Sequence, residues 1–165
     1  MNSNTQNEFY IRRASIDDIP TLVLHHRRMF EEILKARHEP FTIFQLESMD
    51  KAYTEKLQIQ LANGICTAWV IEDKNRIIAS GAVSLMTTVP VPADPSYHAA
   101  SLHSIYTDKN YRKKGLASRI TKIAVDYCKS RGIKRMQLNA SDAGRPVYET
   151  IGFRTADNAM RLWIR

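Results

Sequence analysis

Cysteine is scarce in this sequence: Cys66 and Cys128 are the only two among 165 residues, far apart and outside any CxxC spacing. That removes a disulfide framework and a cysteine zinc site, and it fits a reducing, cytoplasmic setting. Long hydrophobic runs are missing as well. The longest apolar stretches fall far short of the ~20 residues that cross a membrane, and the opening MNSNTQNEFYIRR carries no apolar secretory core. No H-x-x-x-H pair occurs, and His25 and His26, adjacent on a helix, point in different directions, so no metal is expected. Compositional bias is also lacking: 44% hydrophobic and 25% charged residues are close to globular averages. Negative charge is the one shortage that points somewhere. The 17 acidic against 24 basic residues leave +7, which favours an anionic partner without saying which.

The length suits a single domain, residues 1–165, large enough to bury a core without staples. Phe9 to Arg13 reads as a short strand. Ser15 with Asp18 forms a capping-box pattern, after which Ile19, Leu22, Val23, His26, Phe30, Ile33 and Leu34 recur at helical spacing. Thr42 with Gln45 begins a second helix whose stripe is Leu46, Met49, Tyr53, Leu57 and Leu61, stopped by Asn63-Gly64. Thr67–Glu72 and Ile77–Met86 read as a hairpin around Asp73-Lys74-Asn75-Arg76. Gly81 inside the second run predicts a bulge or a close backbone approach. Residues 87–97, with Pro90, Pro92 and Pro95, predict a stiff loop, and His98–Thr107 a further strand. Gly115–Arg131 is strongly amphipathic. Lys134–Ala140 alternates as a strand, Asp142–Ile151 as a short helix, and Arg161–Arg165 as a last strand. The order predicts a mixed α/β sandwich around one central sheet.

Two motifs carry chemistry. Tyr111-Arg112-Lys113-Lys114-Gly115-Leu116-Ala117 lies between a strand and a strong helix. The unsatisfied N–H groups at a helix start, a residue without Cβ and three cations make an anion cradle; a basic solvated turn is the plainer alternative. Thirty residues on, Tyr148-Glu149-Thr150-Ile151-Gly152-Phe153 places a tyrosine on the short helix. It reads equally as packing with a glycine cap.

In this order, with a strand before, and a long helix and a strand between, the pair resembles the GNAT superfamily of acyl-CoA-dependent N-acetyltransferases. The sharp match covers residues 98–154, and Ser104-Ile105-Tyr106-Thr107-Asp108 is similar to the family's central strand and turn. The resemblance implies a GNAT-like mixed central sheet flanked by helices, with splayed central strands forming an acyl-CoA cleft. It implies acetyl-CoA as co-substrate, its pantetheine on backbone groups of Ile105, Tyr106 and Thr107, and its pyrophosphate on Arg112, Lys113, Lys114, Gly115, Leu116, Ala117 and Ser118. Tyr148 falls where the family places its thiol-protonating tyrosine. The sequence departs from the family twice. Ser141 stands roughly where many relatives have a cofactor-contacting Asn, with Asn139 in the preceding strand as the substitute; and 98–107 holds no carboxylate base, only His98 and His103. His103 or ordered water is then the route for the acceptor's proton. His25, Arg28 and Glu32 are acceptor-side candidates.

Forming an amide from a thioester needs a neutral amine, a donor to the developing oxyanion and an acid for the leaving thiolate. The expectation is an N-acetyltransferase acting by direct attack on a primary amine of a small molecule or peptide, with a homodimer left open. The rivals are a basic nucleic-acid-binding module, a phosphotransferase and a non-catalytic acyl-CoA-binding protein. The first lacks an aromatic–basic signature and the second a Walker pattern, so neither nucleic acid nor membrane is expected as partner.

Overall fold

The structure, a computed structural model, describes residues 9–156 and 158–164. Its frame is a five-stranded sheet in the order β1 (Tyr10–Arg13), β2 (Cys66–Asp73), β3 (Arg76–Thr87), β4 (His98–Thr107), β5 (Met136–Gln137). The first four strands are antiparallel neighbours, and β5 runs parallel to β4. Along β2 the side chains alternate between two cores, as a two-residue period requires. Cys66, Ala68 and Val70 meet Leu22, Val23, Tyr53 and Leu57 on one face, while Trp69 and Ile71 join the cores built with Ala124, Cys128, Leu116 and Ile120 on the other. The first face belongs to α1 (Ile19–Ala36) and α2 (Ile43–Ala62), the second to α3 (Leu116–Ser130) and α4 (Arg145–Ile151).

The helix starts are fixed as their sequences imply. The Ser15 N–H donates to Asp18 Oδ2 at 2.7 Å, and Arg12 Nη1 donates to the same oxygen at 2.7 Å. That guanidinium, bonded also to Glu72, holds the Asp18 carboxyl below its ordinary range and ties the start of α1 to the sheet. At α2, Gln45 N–H donates to Thr42 Oγ1 at 3.2 Å while Thr42 N–H donates to Gln45 Oε1 at 2.8 Å, a reciprocal cap.

Two expectations are corrected. The strand read over 134–140 shrinks to Met136–Gln137, because the chain leaves β4 after two residue pairs, Ala100↔Met136 and Ser101↔Gln137. The last strand, read over 161–165, is not formed at 161–164; Arg165 lies outside the described residues. So short a β5 offers it little ladder, and Leu162, Trp163 and Ile164 stay 84%, 85% and 91% exposed. No helix among the described residues is long and apolar enough to cross a membrane.

Candidate active site

Gly81 is where the site begins. Opposite it the β3–β4 register slips: Ser80 pairs with Tyr106, but Ala82 pairs with His103. Two steps on β3 therefore face three on β4, and the extra residue is a bulge. Ser104 takes it up in the left-handed region at φ 58°. A Cβ at Gly81 would collide with Ile105 Cδ1 and stand 2.8 Å from Ile120 Cγ2, so the close approach at this glycine is of side chains rather than backbone, and the bulge lies opposite it on β4.

Beyond the bulge β4 has no strand on its outer side. Pairing with β5 ends at Ser101, leaving the backbone edge of Ile105, Tyr106 and Thr107 facing the gap between the diverging strands. Thr107 Oγ1 is buried without a hydrogen-bond partner. Its carbonyl accepts from Arg112 Nε at 3.0 Å. The Tyr106 ring is turned inward, 4.7 Å from that of His25.

The basic turn follows. A one-turn helix over Lys109–Tyr111 leads to two left-handed residues, Lys113 at φ 62° and Gly115 at φ 75°, and then to α3. No side chain caps α3. Its first N–H groups therefore face outward at the positive end of the helix. A Cβ at Gly115 would meet nothing within 4 Å, so the space over these amides is open. The three cations are not equivalent. Arg112 donates to both oxygens of Glu32, at 2.9 and 2.7 Å, and Lys114 sits 5.6 Å and 5.2 Å from the rings of Phe9 and Tyr111. Lys113 is exposed, with no ion pair among the described residues. Leu116 is buried in the core, so only its backbone can serve a ligand; Ala117 and Ser118 are partly buried.

Tyr148 stands on α4, packed against the core that holds Leu102, Ala124 and Cys128. Its ring packs edge-on to Phe153 at 6.0 Å, and a Cβ at Gly144 would lie 3.1 Å from it, so that glycine leaves the ring its place. The hydroxyl has no hydrogen-bond partner among the described residues, and burial pushes its pKa up, which keeps it a donor. Gly152, left-handed at φ 113°, ends the helix as its sequence implies.

The other candidates are scattered. Asn139 lies outside β5, exposed, with its Oδ1 accepting from Arg161, while Ser141 Oγ accepts from the Gly144 N–H at 3.1 Å and shapes the entry to α4. His25 is withdrawn from the acceptor: it is 2% exposed, its Nδ1 2.8 Å from Ser80 Oγ. Burial lowers its pKa to about 4. Arg28 pairs with Asp108 at 3.5 Å, and Glu32 with Arg112; together they strap α1 to the turn. His103 is held by two serines, Nε2 2.8 Å from Ser84 Oγ and Nδ1 3.0 Å from Ser104 Oγ, and burial lowers its pKa to about 3. Such an imidazole stays neutral and holds a proton poorly. His26, read as part of an apolar stripe, instead reaches Ser104 Oγ with Nδ1 at 2.8 Å. The signal for that contact is the β4 bulge, which the sequence announces only through Gly81 on the neighbouring strand.

Residues 30–153 match the acetyltransferase (GNAT) family. No curated protein matches the sequence. Among solved structures, a predicted acetyltransferase of Clostridium acetobutylicum with acetyl-CoA is 28% identical, with a TM-score of 0.83 over 93% of this chain and 95% of its own. A GCN5-related N-acetyltransferase of Ralstonia eutropha JMP134 shares the fold at 22% identity and a TM-score of 0.84, over 94% of this chain and 98% of its own. Glucosamine-6-phosphate N-acetyltransferase of Arabidopsis thaliana shares it at 21% and 0.63, over 95% of this chain and 99% of its own.

Proposed function

Because this chain belongs to the acetyltransferase (GNAT) family, we propose that residues 1–165 form one catalytic domain that acetylates a primary amine of a small molecule or peptide by direct attack on acetyl-CoA. One observation carries the reading: the edge of Ile105–Thr107, with no strand beside it, leads by the basic turn to the uncapped start of α3, so backbone groups suited to pantetheine lead to amides suited to a pyrophosphate. The open space at Gly115 fits such a ligand. Lys113 is the cation left to screen the phosphates. Arg112 and Lys114 are held by protein groups and shape the turn instead.

In the reaction the neutral amine attacks the thioester carbon, and the carbon–nitrogen bond forms as negative charge builds on oxygen. A β4 N–H at the bulge is positioned to stabilise that charge. The carbon–sulfur bond then breaks, the nitrogen sheds a proton, and the Tyr148 hydroxyl protonates the departing sulfur. Thiol release from acetyl-CoA across an amine panel, beside calorimetric titration with acetyl-CoA, tests the proposal. Micromolar binding with amine-dependent release is expected; binding without release from any amine would leave a cofactor-binding protein only, and no binding would sink the reading.

A further inference from the structure

On the face of the sheet away from α3, five polar side chains form one unbroken chain. His26 Nδ1 lies 2.8 Å from Ser104 Oγ, Ser104 Oγ 3.0 Å from His103 Nδ1, His103 Nε2 2.8 Å from Ser84 Oγ, and Ser84 Oγ 2.8 Å from Lys56 Nζ. Each hydroxyl can donate once while accepting, and each neutral imidazole donates from one nitrogen and accepts at the other. The chain can therefore be polarised end to end in either direction. Its inner end is His26 on α1, one hydrogen bond from Ser104 at the β4 bulge, which adjoins the edge of Ile105–Thr107. Its outer end is Lys56 on α2, which is only partly buried. Tyr53 closes the top, its ring stacked on His26 at 4.0 Å. Packing alone does not ask for so many polar groups in one place, since each costs free energy unless paired.

We propose that His26, Ser104, His103, Ser84 and Lys56 are a proton-release relay, which carries the proton shed by the acceptor ammonium from the β4 bulge to solvent. This rests on the amine-acetylation reading. The ammonium gives its proton to His26 Nε2, which has no partner among the described residues. His26 passes its Nδ1 proton to Ser104, Ser104 its own to His103 Nδ1, His103 its Nε2 proton to Ser84, and Ser84 its own to the neutral amine of Lys56. One proton enters and one leaves, and no imidazole carries charge in between. Lys56 then loses the proton to water, while the thiol proton comes separately by way of Tyr148. Neutrality suits this role: burial lowers His26 to about 4 and His103 to about 3, too low for a base but right for a conduit. Burial also lowers Lys56 from its ordinary value, which brings its neutral form within reach. The titratable and charged groups facing the relay are Asp50 and Tyr53 on α2, with Arg27 of α1 engaged by Asp50 at 2.6 Å, and Cys66 on β2.

The pH–rate profile tests it. Wild-type kcat should rise with pH as Lys56 loses its proton. Ser84→Ala cuts the relay in the middle, so the rate should wait on the acceptor's own ionisation near pKa ~10.4. We expect kcat at neutral pH to fall at least tenfold, the rising limb to move by a unit or more toward alkaline pH, and KM for acetyl-CoA to stay within twofold. Ser84→Thr, which keeps the hydroxyl, should restore the limb. A purely structural role would scale the profile without moving it. Lys56→Met, at the partly exposed end, should move the limb in the same way and decides the matter if Ser84→Ala does not fold. Unmoved limbs with kcat within twofold would overturn the relay while leaving acetylation standing. A wild type that binds acetyl-CoA but turns over no amine would overturn both.

Discussion

One buried and two half-buried histidines held neutral should make this protein sensitive to mild acid. His25 and His26 ionise near pH 4 in the folded chain and His103 near 3, each lowered by desolvation first; in the unfolded chain each ionises near ~6.5. The folded value is the depressed one. The stability these groups contribute is thus fully present above the unfolded pKa and is lost as pH falls toward the folded one. At pH 5 an unfolded histidine is protonated and a folded one is not, which favours unfolding by about 2 kcal/mol for each, or about 6 for the three. Against a typical total of roughly 5–15 kcal/mol, that is a large share of the stability by pH 5. The paired carboxylates act elsewhere: Asp18 and Asp94 are depressed by Arg12 and Arg135, and their contribution is lost only below ~4. Urea unfolding followed by tryptophan fluorescence, repeated between pH 7 and pH 5, measures the effect, and its slope reports about three protons taken up on unfolding. His25→Asn should lower the slope to about two protons whatever it does to stability at pH 7. A stability that stayed flat between pH 7 and pH 5 would refute the burial of these rings as neutral groups.

Tyr148→Phe keeps the contact with Phe153 and deletes a hydroxyl with no protein partner, so Tm and acetyl-CoA affinity should hold while kcat falls at least tenfold; wild-type turnover, measured where chemistry limits the rate, would remove the acid role. Gly115→Val puts a branched side chain at φ 75° and into the open space above the α3 amides, so the Kd for acetyl-CoA should rise more than tenfold. Lys113→Ala, removing one solvated charge, should raise it only a few-fold, and the reverse order in titration calorimetry would displace the phosphates from this turn. Gly81→Ala collides with Ile105 and Ile120 at a cost of ~1–3 kcal/mol, partly offset by ~0.4–1 kcal/mol from a stiffer unfolded chain. Calorimetry should show Tm lowered by a few degrees and partly recovered by adding Ile105→Val; an unchanged Tm in the single variant would contradict the close approach.

What the sequence displays plainly is whatever depends on neighbours a few residues apart. The caps at Ser15–Asp18 and Thr42–Gln45, the hairpin around Lys74-Asn75 and the amphipathic α3 all rest on local hydrogen bonds or a 3.6-residue period, and all are present. Gly81 was legible for the same reason, since a glycine inside an apolar run marks a missing side chain. What stayed hidden depends on pairing between distant segments. Nothing local distinguishes residues 138–140 from a strand; they are excluded because the sheet diverges there. Likewise His26 falls on the helical stripe that should be apolar, and only the β4 bulge, by turning Ser104 toward α1, gives its ring a polar partner. His25, a candidate on the acceptor side, is buried against Ser80, a partner 55 residues away that no local pattern announces.

The features that make up the candidate site share one physical property: each is a place where backbone pairing stops. The ladder of β4 slips at Ser104, its outer edge is unpaired after Ser101, two residues of the next turn are left-handed, and α3 begins without a cap. Backbone N–H and C=O groups that leave water unpaired cost about as much as a lost hydrogen bond. A run of them along an open groove is satisfied by water in the free protein and is there for something polar and extended to take up. A chain that carries amides at one end and phosphates at the other satisfies both halves of this groove, the strand edge and the helix start. The opposite face of the same bulge obeys the contrary rule. There the hydroxyls and imidazoles bond one another from His26 to Lys56, and among the described residues only His26 Nε2 is left open. The bulge thus divides the sheet into a strand-free edge, where the proposed cofactor would lie, and a bonded side, along which the proposed relay would release a proton without creating a buried charge.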